Sequence, residues 1–381
     1  MQSKLKDIWI VLRNIGILLI LLECILAAMY TYNDAKKYEH KIAGKIEAKV
    51  HDNMSATDTK TMYQEYNAIE MQWTPYLHYS HKPFQGKFNT INNLGQRKTT
   101  QHKVNDTLAP IKIFCFGGST MYGIGTTDET TIPSILSNLL IKAFPDTNFE
   151  ITNFGVQGYQ RDMEAIQLSQ EVLKNNIPDI AIFLDGVNEV LAAFNNNDAG
   201  IPTNAFNRNM EFNTIRSYSK RTQLFLKSSY TYRFVQYLRK KIATPKKSID
   251  VTSLSKKIAA NYRNHIIYSD PISANYNFKV FNFFQPTIFT KHILTDFEKT
   301  EKENASFKEA LYEETYKIIL EDSILKNTDS FIDLHLAFDN NSNTLFTDFC
   351  HTEEKGNTIL AQEMVNVIKM EILNRKNTPL K

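Results

Sequence analysis

Cysteine is scarce in this chain, with only Cys24, Cys115 and Cys350 among 381 residues. That excludes a disulfide framework. Cys115 and Cys350 read as small buried hydrophobes. A bridge between them would need an oxidising compartment, and their spacing alone gives no argument for one. A one-sided charge is lacking too. With 44 basic and 41 acidic residues, the net charge of +3 offers no basic stripe for nucleic acid. Internal repeats at a fixed period are absent. No His, Cys or carboxylate cluster has metal-ligand spacing, so neither a metal nor another cofactor is expected. The chain also lacks the G-x-S-x-G elbow and the G-x-x-x-x-G-K-[ST] phosphate loop.

Apolar residues, in contrast, make up 42% of the chain and aromatic ones 12%, enough for a large core. Their distribution divides the chain. Residues 8–32 read IWIVLRNIGILLILLECILAAMYTY, with Glu23 the only charge from Ile15 to Tyr32. About 20 helical residues cross a hydrocarbon layer of about 30 Å, so this run is long enough to span a membrane. Trp9, Tyr30 and Tyr32 resemble an aromatic belt, and Arg13 can snorkel to the interface. Lys4, Lys6 and Arg13 favour a cytoplasmic N-terminus (residues 1–7) and a body outside, periplasmic or extracellular. Lys36, Lys37 and Lys41 on the far side weaken that bias. No A-x-A site follows the run, which favours an uncleaved single-pass anchor over a signal peptide. Glu23 before Cys24 also excludes a lipid-attachment box.

Residues 33–70, polar and with a single glycine, read as a partly helical stalk. Residues 71–110 mix aromatics, Pro, Gly and Asn, as a small β-rich lobe would. From residue 111 to 375, apolar runs alternate with helical patterns. The candidate strands are 111–116, 148–154, 178–184, 276–284 and 330–336. The intervening helices fall near 131–143, 162–175, 302–323 and 355–373. This alternation predicts an α/β fold: three α/β/α layers around a mostly parallel five-stranded sheet. Residues 195–270 exceed what a crossover needs. They read as a helical insertion, with basic clusters such as LRKKIATPKKS, placed to cap the site.

In open α/β sheets the site lies beyond the carboxyl ends of the strands. Ser119 follows the first strand there, in IKIFCFGGSTMYG (111–123). A Ser/Thr-capped turn would look the same in isolation. A nucleophilic serine needs a base and oxyanion donors. After the second strand comes GVQGYQ, where Gly155 or Gly158 can present a bare N–H. After the third comes DGVNEV, where Asn188 offers a side-chain amide. Asp185 and Glu189 flank it and are compatible with surface charges. Near the C-terminus, Asp348 and His351 stand three apart in FTDFCHTEEKGN. One helical turn would let the carboxylate orient the imidazole. His335, close to Asp339, is a weaker candidate base, and His265 and His292 are weaker still.

FGGST, GVQGY, DGVNE and DFCH, in that order, resemble the four blocks of the SGNH (GDSL-type) hydrolase superfamily, whose fold is flavodoxin-like. The resemblance covers roughly residues 111–375. FNFFQPTIF (281–289) resembles the Gln-Pro segment of many members, and INNLGQRKTT (91–100) a stretch that precedes the domain in anchored bacterial members. Two departures stand out. Gly-Gly-Ser-Thr replaces Gly-Asp-Ser-Leu, and Glu189 stands where Asp is usual. The resemblance implies an ester-cleaving enzyme with Ser119 as nucleophile, His351 as base and Asp348 holding it. The Ser119 and Gly158 N–H groups and the Asn188 amide would form the oxyanion hole. The implied partner is an ester-bearing substrate, an acylated glycan or lipid. Two alternatives remain open: an O-acyltransferase acting on a cell-envelope polysaccharide, and an inactive membrane-tethered binding module.

Overall fold

The computed structural model describes residues 2–102, 104, 108–203, 205–215, 217–242 and 249–377. Residues 243–248, the end of the LRKKIATPKKS cluster, lie outside them. The chain divides into two compact units. One comprises residues 1–44 and 204–248, the other residues 45–203 and 249–381.

The second unit is built on five parallel strands: β1 (Ile111–Gly117), β2 (Phe149–Asn153), β3 (Ile180–Asp185), β4 (Lys279–Phe284) and β5 (Phe331–Asp333). Their order is β2-β1-β3-β4-β5, the doubly wound order of flavodoxin-like sheets. Successive strand residues point to opposite faces, and β1 shows the consequence. Ile111, Ile113 and Cys115 enter one apolar cluster, with Leu136 and Leu140 of the helix Ile132–Ala143 and Leu360 and Ile368 of the helix Glu354–Asn377. Phe114 and Phe116 enter the other, with Leu168 and Val172 of the helix Arg161–Leu173. Phe116 stacks between Phe154 and Phe183, with ring centroids 4.9 Å apart on each side. Both faces are therefore covered, which is why the strand reads as an unbroken apolar run.

Several boundaries differ from the sequence reading. The fifth strand stops at Asp333, and the helix expected over 302–323 is two, Asp296–Ala305 and Glu309–Glu321. The fourth strand starts at Lys279, because the helix Val251–Tyr276 ends on Asn277 in the left-handed conformation (φ 57°). That same helix belongs to the sheet's covering layer, burying Leu254, Ile258 and Ile266, so residues 249–270 are not part of a separate insertion. The stretch 33–70 is helical to Glu47 and again over Ala56–Ala68. The second of these helices buries Met62 and Tyr63, and its Glu65 accepts the N–H groups of Lys87, Phe88 and Asn89. It is docked, not a free stalk. Residues 71–91 form two short antiparallel hairpins, Met71–Thr74 with His78–His81 and Phe84–Gln85 with Thr90–Ile91.

The first unit contains most of the helix Gln2–Glu47 and the helices Ala205–Ile215, Tyr218–Lys227 and Tyr230–Ile242. The N-terminal helix is long and apolar enough to cross a membrane, by length and composition.

Candidate active site

Gly118 ends the turn after β1, and Ser119 opens the short helix Ser119–Tyr122. Two glycines let other segments close on this turn. A Cβ on Gly118 would stand 2.0 Å from Asn188 Nδ2. A Cβ on Gly155 would stand 2.3 Å from the Tyr122 backbone nitrogen. Both close approaches need the bare Cα. They bring the loops after β2 and β3 against the serine turn. Asn188 Nδ2 donates to Tyr159 O at 2.7 Å, which ties these two loops together. Among the described residues, neither the Ser119 nor the Gly158 N–H donates a hydrogen bond.

His351 arrives from the C-terminal side of the sheet, and its Nε2 lies 2.6 Å from Ser119 Oγ. Its Nδ1 lies 2.7 and 2.9 Å from the two Asp348 oxygens. The carboxylate fixes the proton on Nδ1 and leaves the Nε2 lone pair facing the hydroxyl. The Asp348–His351 pair is not set on a helical turn as its spacing suggested. Asp348 Oδ1 accepts the N–H of Cys350 at 3.1 Å and of His351 at 3.0 Å, an Asx-type turn. A short antiparallel bridge between Phe346 and Thr352 closes this loop, with Thr347 N donating to His351 O at 2.7 Å. Upstream, the fully buried Glu298 accepts the N–H groups of Leu345 and Phe346 and pairs with Lys291 at 2.6 Å.

Burial alone would raise the Asp348 carboxyl. The adjacent imidazole, its hydrogen bond and the charge of Lys45 outweigh that, and they hold the carboxyl well below the usual carboxylate range. Lys45 is buried near the end of the N-terminal helix and donates to Thr347 O. Its composition neighbours read as a solvated stalk, so nothing in the sequence marked it.

The other candidates are engaged elsewhere. His335 Nδ1 bonds Asp333 at 2.7 Å, Asp339 is taken by His292, and His265 pairs with Asp162. Asp348, Cys350 and His351 bring ligand-type atoms within 4.8 Å of one another. With Nδ1 committed to Asp348 and Nε2 to Ser119, that set suits proton transfer better than metal ligation. Cys115 and Cys350 are buried free thiols, and burial pushes the Cys115 thiol up.

Asp185 and Glu189 are buried, not surface charges. Glu189 Oε1 accepts the Arg161 N–H at 2.8 Å and Oε2 the Gly186 N–H at 2.9 Å. One carboxylate thus joins the loop of Gly158 to the loop of Asn188. Burial, then the nearby Asp185, push the Glu189 carboxyl up to about 7. Arg161 lies under it, with its guanidinium 3.4 Å over the Phe183 ring, 3.0 Å from Asn282 Oδ1 and 3.6 Å from Asp185. Glu164 is buried beside Asp185, and desolvation followed by that like charge raises it well above the ordinary value.

Arg97, from the INNLGQRKTT stretch, is fully buried under the same turn. It pairs with Asp128 at 3.1 Å and donates to the carbonyls of Tyr122, Gly123, Phe88 and Thr126. Its guanidinium also lies 4.9 Å from the Tyr122 ring centroid.

No protein-family model matches this chain, and no curated protein matches it. Among solved structures it is similar to a catalytic mutant of an acetylxylan esterase from Geobacillus stearothermophilus. That match has 13% identity and a TM-score of 0.39, over 68% of this chain and 95% of the other. It is also similar to an alpha/beta hydrolase from the metagenome of Lake Arreo, Spain (12%, TM-score 0.37, 69% and 97%). A third is a member of the lipolytic protein G-D-S-L family from Veillonella parvula (12%, TM-score 0.37, 68% and 98%).

Proposed function

We propose that this protein is a membrane-tethered serine esterase of the SGNH (GDSL) kind. The observation that carries the reading is the continuous relay from Ser119 Oγ through His351 to Asp348 at the carboxyl edge of a parallel sheet. His351 Nε2 takes the hydroxyl proton as Ser119 Oγ attacks the ester carbonyl. The imidazolium formed is held by the ionised Asp348. The oxyanion is received by the Ser119 and Gly158 N–H groups and by Asn188 Nδ2. His351 then returns the proton to the leaving alkoxide. Water, activated by the same imidazole, adds to the acyl-enzyme and releases the acid with Ser119 restored.

Asn188 Nδ2 stays bonded to the Tyr159 carbonyl in the free site. Its second N–H remains for the oxyanion, because an amide nitrogen carries two donors. Tethering rests on the apolar N-terminal helix, and the basic residues Lys4, Lys6 and Arg13 favour an inside N-terminus.

The test is labelling of the full-length protein with a fluorophosphonate, alongside hydrolysis of short-chain aryl esters. Wild type should label and turn over, and Ser119→Ala should do neither. A wild type as inert as Ser119→Ala in both assays would leave the binding-module reading standing.

A further inference from the structure

Glu23 is the one charge between Ile15 and Tyr32, and such a carboxylate is costly in hydrocarbon unless it is paired. Its partners come from the insertion. Glu23 accepts the N–H of Tyr230 at 2.6 Å, the N–H of Thr231 at 2.9 Å and the Thr231 hydroxyl at 2.7 Å. These are the first N–H groups of the helix Tyr230–Ile242, which have no partner within their own helix. Two groups that lipid cannot satisfy therefore satisfy each other.

The contact continues along the N-terminal helix. Tyr30 stacks on Tyr230 at 6.2 Å, Arg233 lies 4.1 Å over the Tyr30 ring, and the Arg233 guanidinium pairs with Asp34 at 2.7 and 2.9 Å. The covered residues of the span, Gly16, Glu23, Leu26, Ala27 and Tyr30, fall along one side of the helix, and most of the remaining circumference is open. From Glu23 to Tyr30 the rise is about 10 Å. With the tyrosines at the interface, the Tyr230–Thr231 turn sits inside the acyl layer.

The insertion also has the chemistry of a membrane surface. Phe206, Phe212, Ile215, Tyr218, Phe225 and Leu226 are all more than half exposed. The helices Ala205–Ile215 and Tyr218–Lys227 bury none of their residues. Between residues 205 and 242 the sequence has nine basic residues and one acidic residue, Glu211. Exposed aromatics and leucines with a cationic complement are what an anionic lipid interface takes up.

We propose that residues 205–242 are an interfacial element that dips into the leaflet beside the anchor, locked there by Glu23. The inference rests on the tethering proposed above, and it places the esterase's insertion against lipid instead of a second protein.

The full chain carrying Cys24→Ser would receive single Phe225→Cys, Leu19→Cys or Leu173→Cys substitutions. Each would be labelled with an environment-sensitive fluorophore in vesicles of phosphatidylcholine and phosphatidylglycerol. Quenching by doxyl-labelled lipid should reduce emission about two-fold or more at positions 225 and 19, and not at 173. Adding Glu23→Leu should return position 225 toward the behaviour of 173 while 19 stays quenched. Lipid quenching at 19, with 225 quenched only by aqueous iodide, would overturn the inference and leave the tether intact. Protection of 225 from both quenchers would overturn it in favour of a protein partner. No lipid quenching at 19 would sink the tether itself.

Discussion

Ser119 and His351 are 232 positions apart in the chain, and their reactive atoms lie within 2.6 Å. The contact exists because β1 and the loop closed by Phe346 and Thr352 end at the same edge of one sheet. Neither residue is reactive alone, and the pairing makes the proposed chemistry testable residue by residue.

Asp348→Asn should preserve the fold and lower kcat by about 10³–10⁴-fold, because the amide no longer fixes the Nδ1 proton. Steady-state kinetics on an aryl acetate, with circular dichroism as the check on folding, decide this. A loss of less than about tenfold would show that His351 needs no orienting carboxylate.

Gly118→Ala tests the Asn188 amide. The added methyl meets the far end of the Asn188 side chain and displaces its amide from the Tyr159 carbonyl. The expected loss is that of one oxyanion donor, about 10²–10³ in kcat, with KM little changed and a lower thermal midpoint from the broken Asn188–Tyr159 bond. Full activity in this variant would mean that Asn188 holds no charge in the transition state.

Arg97→Ala should act on stability first. It leaves Asp128 buried without its cation and strips donors from four carbonyls around the serine turn. The expected cost is about 3–5 kcal/mol, read from urea unfolding. A midpoint indistinguishable from wild type would mean that these carbonyls find water instead.

Glu189 gives a pH signature. Its folded-state value of about 7 exceeds the ordinary 4.5. The stabilisation from its bound proton is therefore complete below pH about 4.5 and is lost as pH rises through about 7. Glu189→Gln should flatten that limb, a difference of about 3 kcal/mol between pH 4.5 and 8. Denaturant unfolding at several pH values measures it. Parallel wild-type and variant curves would assign the titration to another group.

The parts legible in the sequence were those with local signatures. Apolar runs marked the strands, and glycine-rich turns after them marked where side chains could face a cleft. Strand order was not legible, since pairing is decided between segments far apart. The spacing of Asp348 and His351 points to their contact, but through a different local device. The sequence suggested a helical turn, and the structure uses the aspartate's own side chain as the turn. Arg97, Arg161 and Lys45 carry no sequence signal, because a lone cation reads as solvated by default. Each is buried by carbonyls or carboxylates supplied from distant segments, which no window of sequence displays. Glu189 was visible as a departure from pattern. Its task became clear only with the Arg161 and Gly186 amides in place.

Lys45 also bears on how the protein can be shortened. A version trimmed to begin after residue 47 would keep all four sequence blocks, yet lose the ammonium that braces the Thr347 carbonyl and steadies the ionised Asp348. The smallest fragment that keeps the proposed site therefore starts upstream of the region that motif alignment would select, on the last turns of the helix Gln2–Glu47.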